Sequence, residues 1–239
     1  MTKLFPLLFS LLFISCTSQN KPLEIEKENP IGIGILEINS HQSLNIYLSK
    51  NLDEVFDTIT FDKIYIGNNS GSVEINSDVL KTKLKPYALS ASSGTAESDA
   101  LVNQGLGGYG TTLKFTVIES NPKYFKVILN ETTKEIGYIK VGENTEKQYT
   151  FKTWKDYLQS VQMINANNKT ALYNEPGGSK INTVDNHCYL KVTDVKNEWA
   201  KIEPARNIVG NENCKNIIGW IKWHNNDTIT VKIIVRTID

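Results

Sequence analysis

Three short blocks recur in the same order in both halves of the chain, and this internal repeat limits the fold more tightly than any single motif. The second half reads ALYNEPGGSKINTVDN, then CYLKVTDVKNEWAKIE, then GWIKW; the first half reads LNIYLSKNLDEVFDTITF, then LKFTVIESNPKYFKVIL, then GYIK. Leu190 to Trp199 spans nine positions, as does Phe115 to Tyr124. Each is followed by x-Lys-β-branched, as Ala200-Lys201-Ile202 and Phe125-Lys126-Val127. The closing pieces are Gly219-Trp220-Ile221-Lys222 and Gly137-Tyr138-Ile139-Lys140. Blocks of this length, bounded by Gly, Asn, Asp and Pro, read as short strands of a small barrel. Pro176-Gly177-Gly178 and Lys196-Asn197 supply turns, and Leu190, Val192, Trp199 and Ile202 are expected on the core face. In the first half, Tyr47 to Phe115 is 68 positions against 17 from Tyr173 to Leu190, an insertion of 51 residues.

The second half resembles the bacterial SH3-like (SH3b) domain over about 55 residues, Lys169 to Trp223. That family opens with L-x-V-R-x-x-P and continues with an L-x-V strand, a W-x-K-V strand and a G-W-V-x closure. Ala171-Leu172-Tyr173-Asn174-Glu175-Pro176, Leu190-Lys191-Val192, Trp199-Ala200-Lys201-Ile202 and Gly219-Trp220-Ile221 stand in those places, with Asn174 where the family has arginine. The resemblance implies a small barrel and a binding role toward a peptide, a cell-wall component or a protein. The architecture expected is mainly β: two small SH3-like barrels in tandem joined by one amphipathic helix. Residues 31–148 form a divergent barrel with a long insertion, 149–168 the connecting helix, and 169–239 the SH3b-like domain.

The helix expectation rests on Trp154, Tyr157, Leu158 and Val161, which fall at i, i+3, i+4 and i+7 and so share one face. Thr153 with Asp156 reads as an N-cap pair, and the turn-forming run Asn165 to Asn168 reads as the end. Two large aromatics on one face predict a rigid connector packed against one or both barrels.

The first residues are a separate signal. Lys3 precedes an apolar run, Leu4 to Ile14, whose eleven residues are too few to span a bilayer. The segment reads as a secretory leader. Phe13-Ile14-Ser15-Cys16 resembles the bacterial lipobox, with Phe13 where leucine is usual. This implies a signal peptide over 1–15, lipidation of Cys16, a tether over 16–30, and a membrane as partner through the lipid anchor. Thr17 in place of the retaining Asp points to the outer membrane of a bacterial envelope.

Removal of the leader takes Lys3 from 26 Lys+Arg and nothing from 26 Asp+Glu, leaving a net charge of −1. Such a balance gives no basic face and excludes nucleic acid as a partner. Four N-x-S/T sequons, at Asn68, Asn130, Asn168 and Asn226, carry little meaning in a bacterial lipoprotein.

The remaining question is chemistry. Gly105 to Gly110 (GLGGYG) matches the dinucleotide fingerprint, but polar SSGTAESDALVNQ precedes it and strand-patterned TTLKFTVIES follows. Without a following helix N-terminus there is no seat for a phosphate. Cys188 and Cys214 are the thiols left besides Cys16, and in an oxidising compartment a disulfide between them is the leading reading. Two buried free thiols, or a zinc site with His187 and His224, are the alternatives; adjacent His187 and Cys188 on a strand would point to opposite faces. SH3b domains often accompany cell-wall cysteine peptidases, whose nucleophile sits at a helix N-terminus. Cys188 lies in a β-type run and Cys214 in a loop, and no G-x-S-x-G, H-E-x-x-H or paired-carboxylate arrangement occurs, so neither catalysis nor a cofactor is expected.

Two classes remain: a non-catalytic binding lipoprotein and a structural or assembly lipoprotein of an envelope complex, with a cell-wall hydrolase accessory behind both. Exposed aromatics favour binding and buried ones a spacer. Tyr47, Tyr87, Tyr109 and Trp223 are the expected surface candidates for ligand contact, with Trp199 and Trp220 in the core. Ser90 to Gly110 (SASSGTAESDALVNQGLGGYG) is expected to be a mobile loop, either binding a partner through Tyr109 or a dispensable surface insertion.

Overall fold

Strand formation follows from period-two alternation. Across YLKVTDVK, Leu190 and Val192 are buried while Lys191 and Thr193 are exposed. A computed structural model describes residues 31–39, 43–66, 70–77, 84, 88–91, 106–107, 111–142, 149–166, 169–226 and 228–234. In chain order the elements are β1 (Gly34–Asn39), β2 (Leu44–Tyr47), β3 (Val55–Ile66), β4 (Ser70–Asn76), β5 (Ala88–Ala91), β6 (Leu106–Gly107) and β7 (Thr111–Ser120). β8 (Tyr124–Asn130), β9 (Glu135–Lys140), β10 (Tyr149–Thr153) and α1 (Trp154–Ser160) complete the first half. The second half holds β11 (Met163–Ala166), β12 (Thr170–Tyr173), β13 (Lys180–Val184), β14 (Tyr189–Lys196), β15 (Trp199–Pro204) and β16 (Gly219–Lys222). A small ribbon of β17 (His224–Asn225) and β18 (Thr228–Ile229) precedes β19 (Val231–Ile234).

The fold is mainly β, and the repeat is visible in its topology. The first sheet contains the order β10-β1-β7-β8-β9-β2-β3, and the second runs β19-β11-β14-β15-β16-β12-β13, all antiparallel. Registers agree as well. Lys126 faces Tyr138 and Val127 faces Gly137 in one, and Lys201 faces Trp220 and Ile202 faces Gly219 in the other. Even the irregularities coincide: the register shifts between Val117 and Glu119 and between Val192 and Asp194, and again at Ile46/Tyr47 and Leu172/Tyr173. The first sheet gains β4, β5 and β6 from its insertion. Among the described residues neither sheet is closed by hydrogen bonds between its ends.

Three expectations about local structure are corrected. The helix covers Trp154–Ser160 rather than 149–168, because β10 pairs with β1 on one side and β11 with β14 and β19 on the other. Tertiary pairing overrides the local signal there. Within those limits Trp154, Tyr157 and Leu158 are buried, as is Val161 at the C-cap, and Thr153 caps the helix by accepting from the Asp156 N–H at 3.2 Å. Second, Asn165 is not a turn residue: its buried amide donates to the Asn186 and Cys188 carbonyls at 3.1 Å each. Third, parts of Ser90–Gly110 are strands, with Ser90 and Ala91 on β7 and Leu106–Gly107 on β4; the rest of that stretch lies outside the described residues.

Helix α1 touches both sheets. Its stripe joins Ile31 and Ile35 to a core cluster made largely by the second sheet, while Leu36, Ile38, Phe115 and Val127 belong to a separate first-sheet core. The Trp154 indole N–H donates to the Ile31 carbonyl at 2.8 Å. Lys155 pairs with Asp194 at 3.0 Å, and the Gln159 amide donates to the Thr193 carbonyl at 2.8 Å. Buried Lys114 lies 3.4 Å from the Tyr157 hydroxyl and 3.6 Å from Glu37.

Candidate functional site

Alternation along β15 and β16 sends Ala200, Ile202 and Ile221 into the core and turns Trp199, Lys201, Trp220 and Lys222 to the opposite face. Cross-strand pairing sets Trp199 beside Lys222 and Trp220 beside Lys201, a checkerboard of indoles and ammonium groups. The same board recurs on β8 and β9, where Tyr124 faces Lys140 and Tyr138 faces Lys126. The opening strand of each repeat adds a tyrosine: Tyr47 pairs with Tyr138, and Tyr173 with Trp220.

Ring contacts hold these clusters together. Tyr124 and Tyr138 meet edge to face at 5.2 Å, and Tyr173 and Trp199 at 5.0 Å. Lysine ammonium groups lie over the rings, with Nζ of Lys196 5.2 Å from the Trp220 centroid, that of Lys222 5.2 Å from Trp199, and that of Lys126 5.9 Å from Tyr138. Trp199 and Trp220 each retain 7% exposure. Exposed cation–π contacts of this kind contribute only about 0.5–1 kcal/mol, so a ligand can displace the lysines at small cost.

An acidic residue flanks each board at the register shift the two sheets share. The Tyr124 hydroxyl donates to Glu119 at 2.8 Å, and this bond, with burial, raises the Tyr124 pKa. Its counterpart Asp194 is held below the usual carboxylate range by Lys155 and by the Val195 N–H.

Cys188 and Cys214 are joined by a disulfide with a Cα–Cα distance of 5.7 Å. The bridge fastens the stretch between β15 and β16, residues 205–218, to the start of β14. Asn211 works beside it: its side chain accepts from the Tyr189 N–H at 3.0 Å and donates to the Tyr189 and Ala205 carbonyls at 2.9 and 3.0 Å. This anchored loop exposes Val209 and Ile218 and borders a shallow groove of about 590 Å³ lined by Arg206, Glu212 and Lys215. In the first sheet a short turn, Glu131–Lys134, occupies that place.

Not all expected contact residues lie on the surface. Tyr47 and Trp223 are 3% and 2% exposed, which corrects their assignment as exposed aromatics. Tyr47 is covered by Tyr124, Ile136 and Tyr138. Trp223 follows Lys222 and returns to the core side, where its ring meets Trp154 at 5.2 Å and its N–H donates to the Asn197 carbonyl at 2.8 Å. Trp199 and Trp220 are buried, as expected, but Trp199 lies on the face opposite Leu190, Val192 and Ile202 rather than with them. Tyr87, Tyr109 and Cys16 lie outside the described residues. The lysines of the boards and Tyr124, Tyr138 and Tyr173 were not singled out from the sequence. The repeated pattern aromatic-x-Lys in W-A-K, Y-F-K, G-W-I-K and G-Y-I-K was the signal that could have found them.

Compared with known proteins, the chain matches no family model, no curated protein and no solved structure.

Proposed function

We propose that the chain is a non-catalytic, lipid-anchored protein of the bacterial envelope whose two sheets are divergent SH3-like barrels that bind an extended, carboxylate-bearing peptide. The peptide belongs either to the cell wall or to a protein partner. One observation carries this reading: the same aromatic–lysine board stands at matched register on both sheets. Flat rings accept backbone and side-chain stacking, and the lysines supply charge-assisted hydrogen bonds to carboxylates. The anchor enters through the lipobox resemblance at Cys16 and places the protein at the membrane, with the outer membrane favoured by Thr17.

Binding is tested with the mature chain against purified cell-wall sacculi by co-sedimentation and against soluble stem peptides by tryptophan fluorescence. Saturable binding that falls in Lys201→Glu and Lys222→Glu variants of unchanged stability is the expected result. Absence of binding to either probe, with these faces found buried against another protein by cross-linking in envelopes, would replace the reading by a structural or assembly role. The burial of Tyr47 and Trp223 favours that second reading. The anchor is tested separately: Cys16→Ser should release the protein from the membrane fraction and remove the acyl mass from its N-terminus.

A further inference from the structure

The ring nitrogens of His187 and the sulfurs of Cys188 and Cys214 offer three ligand atoms that lie within 4.8 Å of one another. Adjacency of His187 and Cys188 would forbid this on a strand, but the chain turns here. Asp185 to Cys188 is closed by a Cys188 N–H to Asp185 carbonyl bond of 3.1 Å, and β14 begins only at Tyr189. His187 is exposed and both cysteines are buried, so an ion at this point has solvent on the histidine side and protein on the sulfur side. We infer that opening the Cys188–Cys214 disulfide converts this corner into a zinc site that takes over the fastening of the 205–218 loop.

The chemistry balances. A dithiol reductant attacks one sulfur through its thiolate, passes two electrons to the bridge and leaves as its own cyclic disulfide, and Cys188 and Cys214 become thiols. Zinc then displaces their two protons. Two thiolates neutralise the ion's charge, so the buried side of the site carries no net charge. Thiolate and imidazole together suit zinc, whose ligand atoms stand roughly 3.4–3.8 Å apart in a tetrahedron, so the two sulfurs, bonded to each other in the disulfide, must move apart once it opens while the imidazole closes on them by about an ångström. Water fills the fourth position. Asn211, two-way bonded to Tyr189, keeps the loop near β14 while the sulfurs rearrange.

The full chain, reduced with a phosphine and freed of reductant, is titrated with zinc against a chromophoric chelator and, in parallel, with cobalt. One equivalent should bind, with thiolate-to-cobalt charge-transfer absorption and tetrahedral d–d bands, and zinc should restore the protease resistance of the 205–218 loop. The oxidised protein should bind nothing at this corner. Exposed His187 can be changed without touching the core, and His187→Ala should weaken binding by at least the roughly ten-fold that losing a ligand's outer partner costs. Equal affinity of the reduced native and His187→Ala proteins, no stoichiometric binding, or a reduced loop that stays protease-sensitive with zinc would each overturn the inference.

Discussion

Gly219→Ala should destabilise the second sheet, whereas Gly137→Ala, at the matching position of the first, should not. A Cβ on Gly219 would stand 2.6 Å from the Tyr173 carbonyl oxygen and 3.0 Å from Leu172 Cδ1. The oxygen belongs to β12, which crosses β16 at the Tyr173–Trp220 pair, so the backbone of a whole strand must give way. On Gly137 the nearest atoms are the side-chain ends Leu129 Cδ1 at 2.8 Å and Ile46 Cγ2 at 3.1 Å, which can rotate aside. Overpacking costs about 1–3 kcal/mol. Alanine returns roughly 0.5–1 kcal/mol through the less flexible unfolded chain. The net expectation is a loss of about 1–2 kcal/mol at Gly219 and a change within about 0.5 kcal/mol at Gly137. For a sheet of this size the larger loss lowers Tm by roughly 4–16 °C. All four tryptophans, Trp154, Trp199, Trp220 and Trp223, lie on or against the second sheet, so melting followed by tryptophan fluorescence reports its transition. If Gly137→Ala melts as early as Gly219→Ala, or Gly219→Ala melts with the native protein, close passage of β12 is not what requires glycine there.

Other consequences are as direct. The Cys188–Cys214 bridge spans 26 residues of sequence, and the Cys188→Ser/Cys214→Ser double variant should lose roughly 3.5 kcal/mol in urea melts, most of it through the freer unfolded chain. Alkylation followed by intact mass should find no free thiol at either position in native oxidised protein. Trp223→Ala should cost about 3–5 kcal/mol by core loss, with any ligand affinity preserved in the fraction that folds. Burial lowers the His224 pKa below its ordinary value of 6.5. The unfolded chain then binds more protons just below that value, so this contribution to stability is complete above pH 6.5 and lost as pH falls through the folded pKa. His224→Gln should flatten that acid slope in urea midpoints taken from pH 7.5 to 5.

Much of the architecture was legible because pairing is encoded by spacing. Nine positions from Leu190 to Trp199 and from Phe115 to Tyr124 fix equivalent hairpins, and the structure keeps them in equivalent register. The helical stripe at Trp154 was legible for the same reason, through its period. What misled was phase. Trp199 and Ile202 stand three apart on β15, so strict alternation puts them on opposite faces, and the register shift at Val192/Asp194 does not change that. Tyr47 sits at the other shift. Trp223 needed only one more step of alternation, since Ile221 points inward, Lys222 outward and Trp223 inward again. The helix limits failed because Tyr149–Thr153 and Met163–Ala166 gain more from partners distant in sequence than from local turns.

The position of β1 has a mechanical consequence. Under the proposed anchoring, tension applied ahead of Ile31 would pull on β1, and β1 is not an edge: it lies between β10 and β7, with five and six register pairs on its two sides. Tension applied along that strand loads both ladders in shear, so their hydrogen bonds, which run across the strand direction, must yield together rather than one after another. The Trp154 indole, bonded to the Ile31 carbonyl, passes part of the same tension into α1 and the second sheet. Forced unfolding is governed by the unfolding rate rather than by equilibrium stability. Were the proposed N-terminal anchor in place, pulling on it would be resisted through the middle of the first sheet, with the second sheet sharing the force.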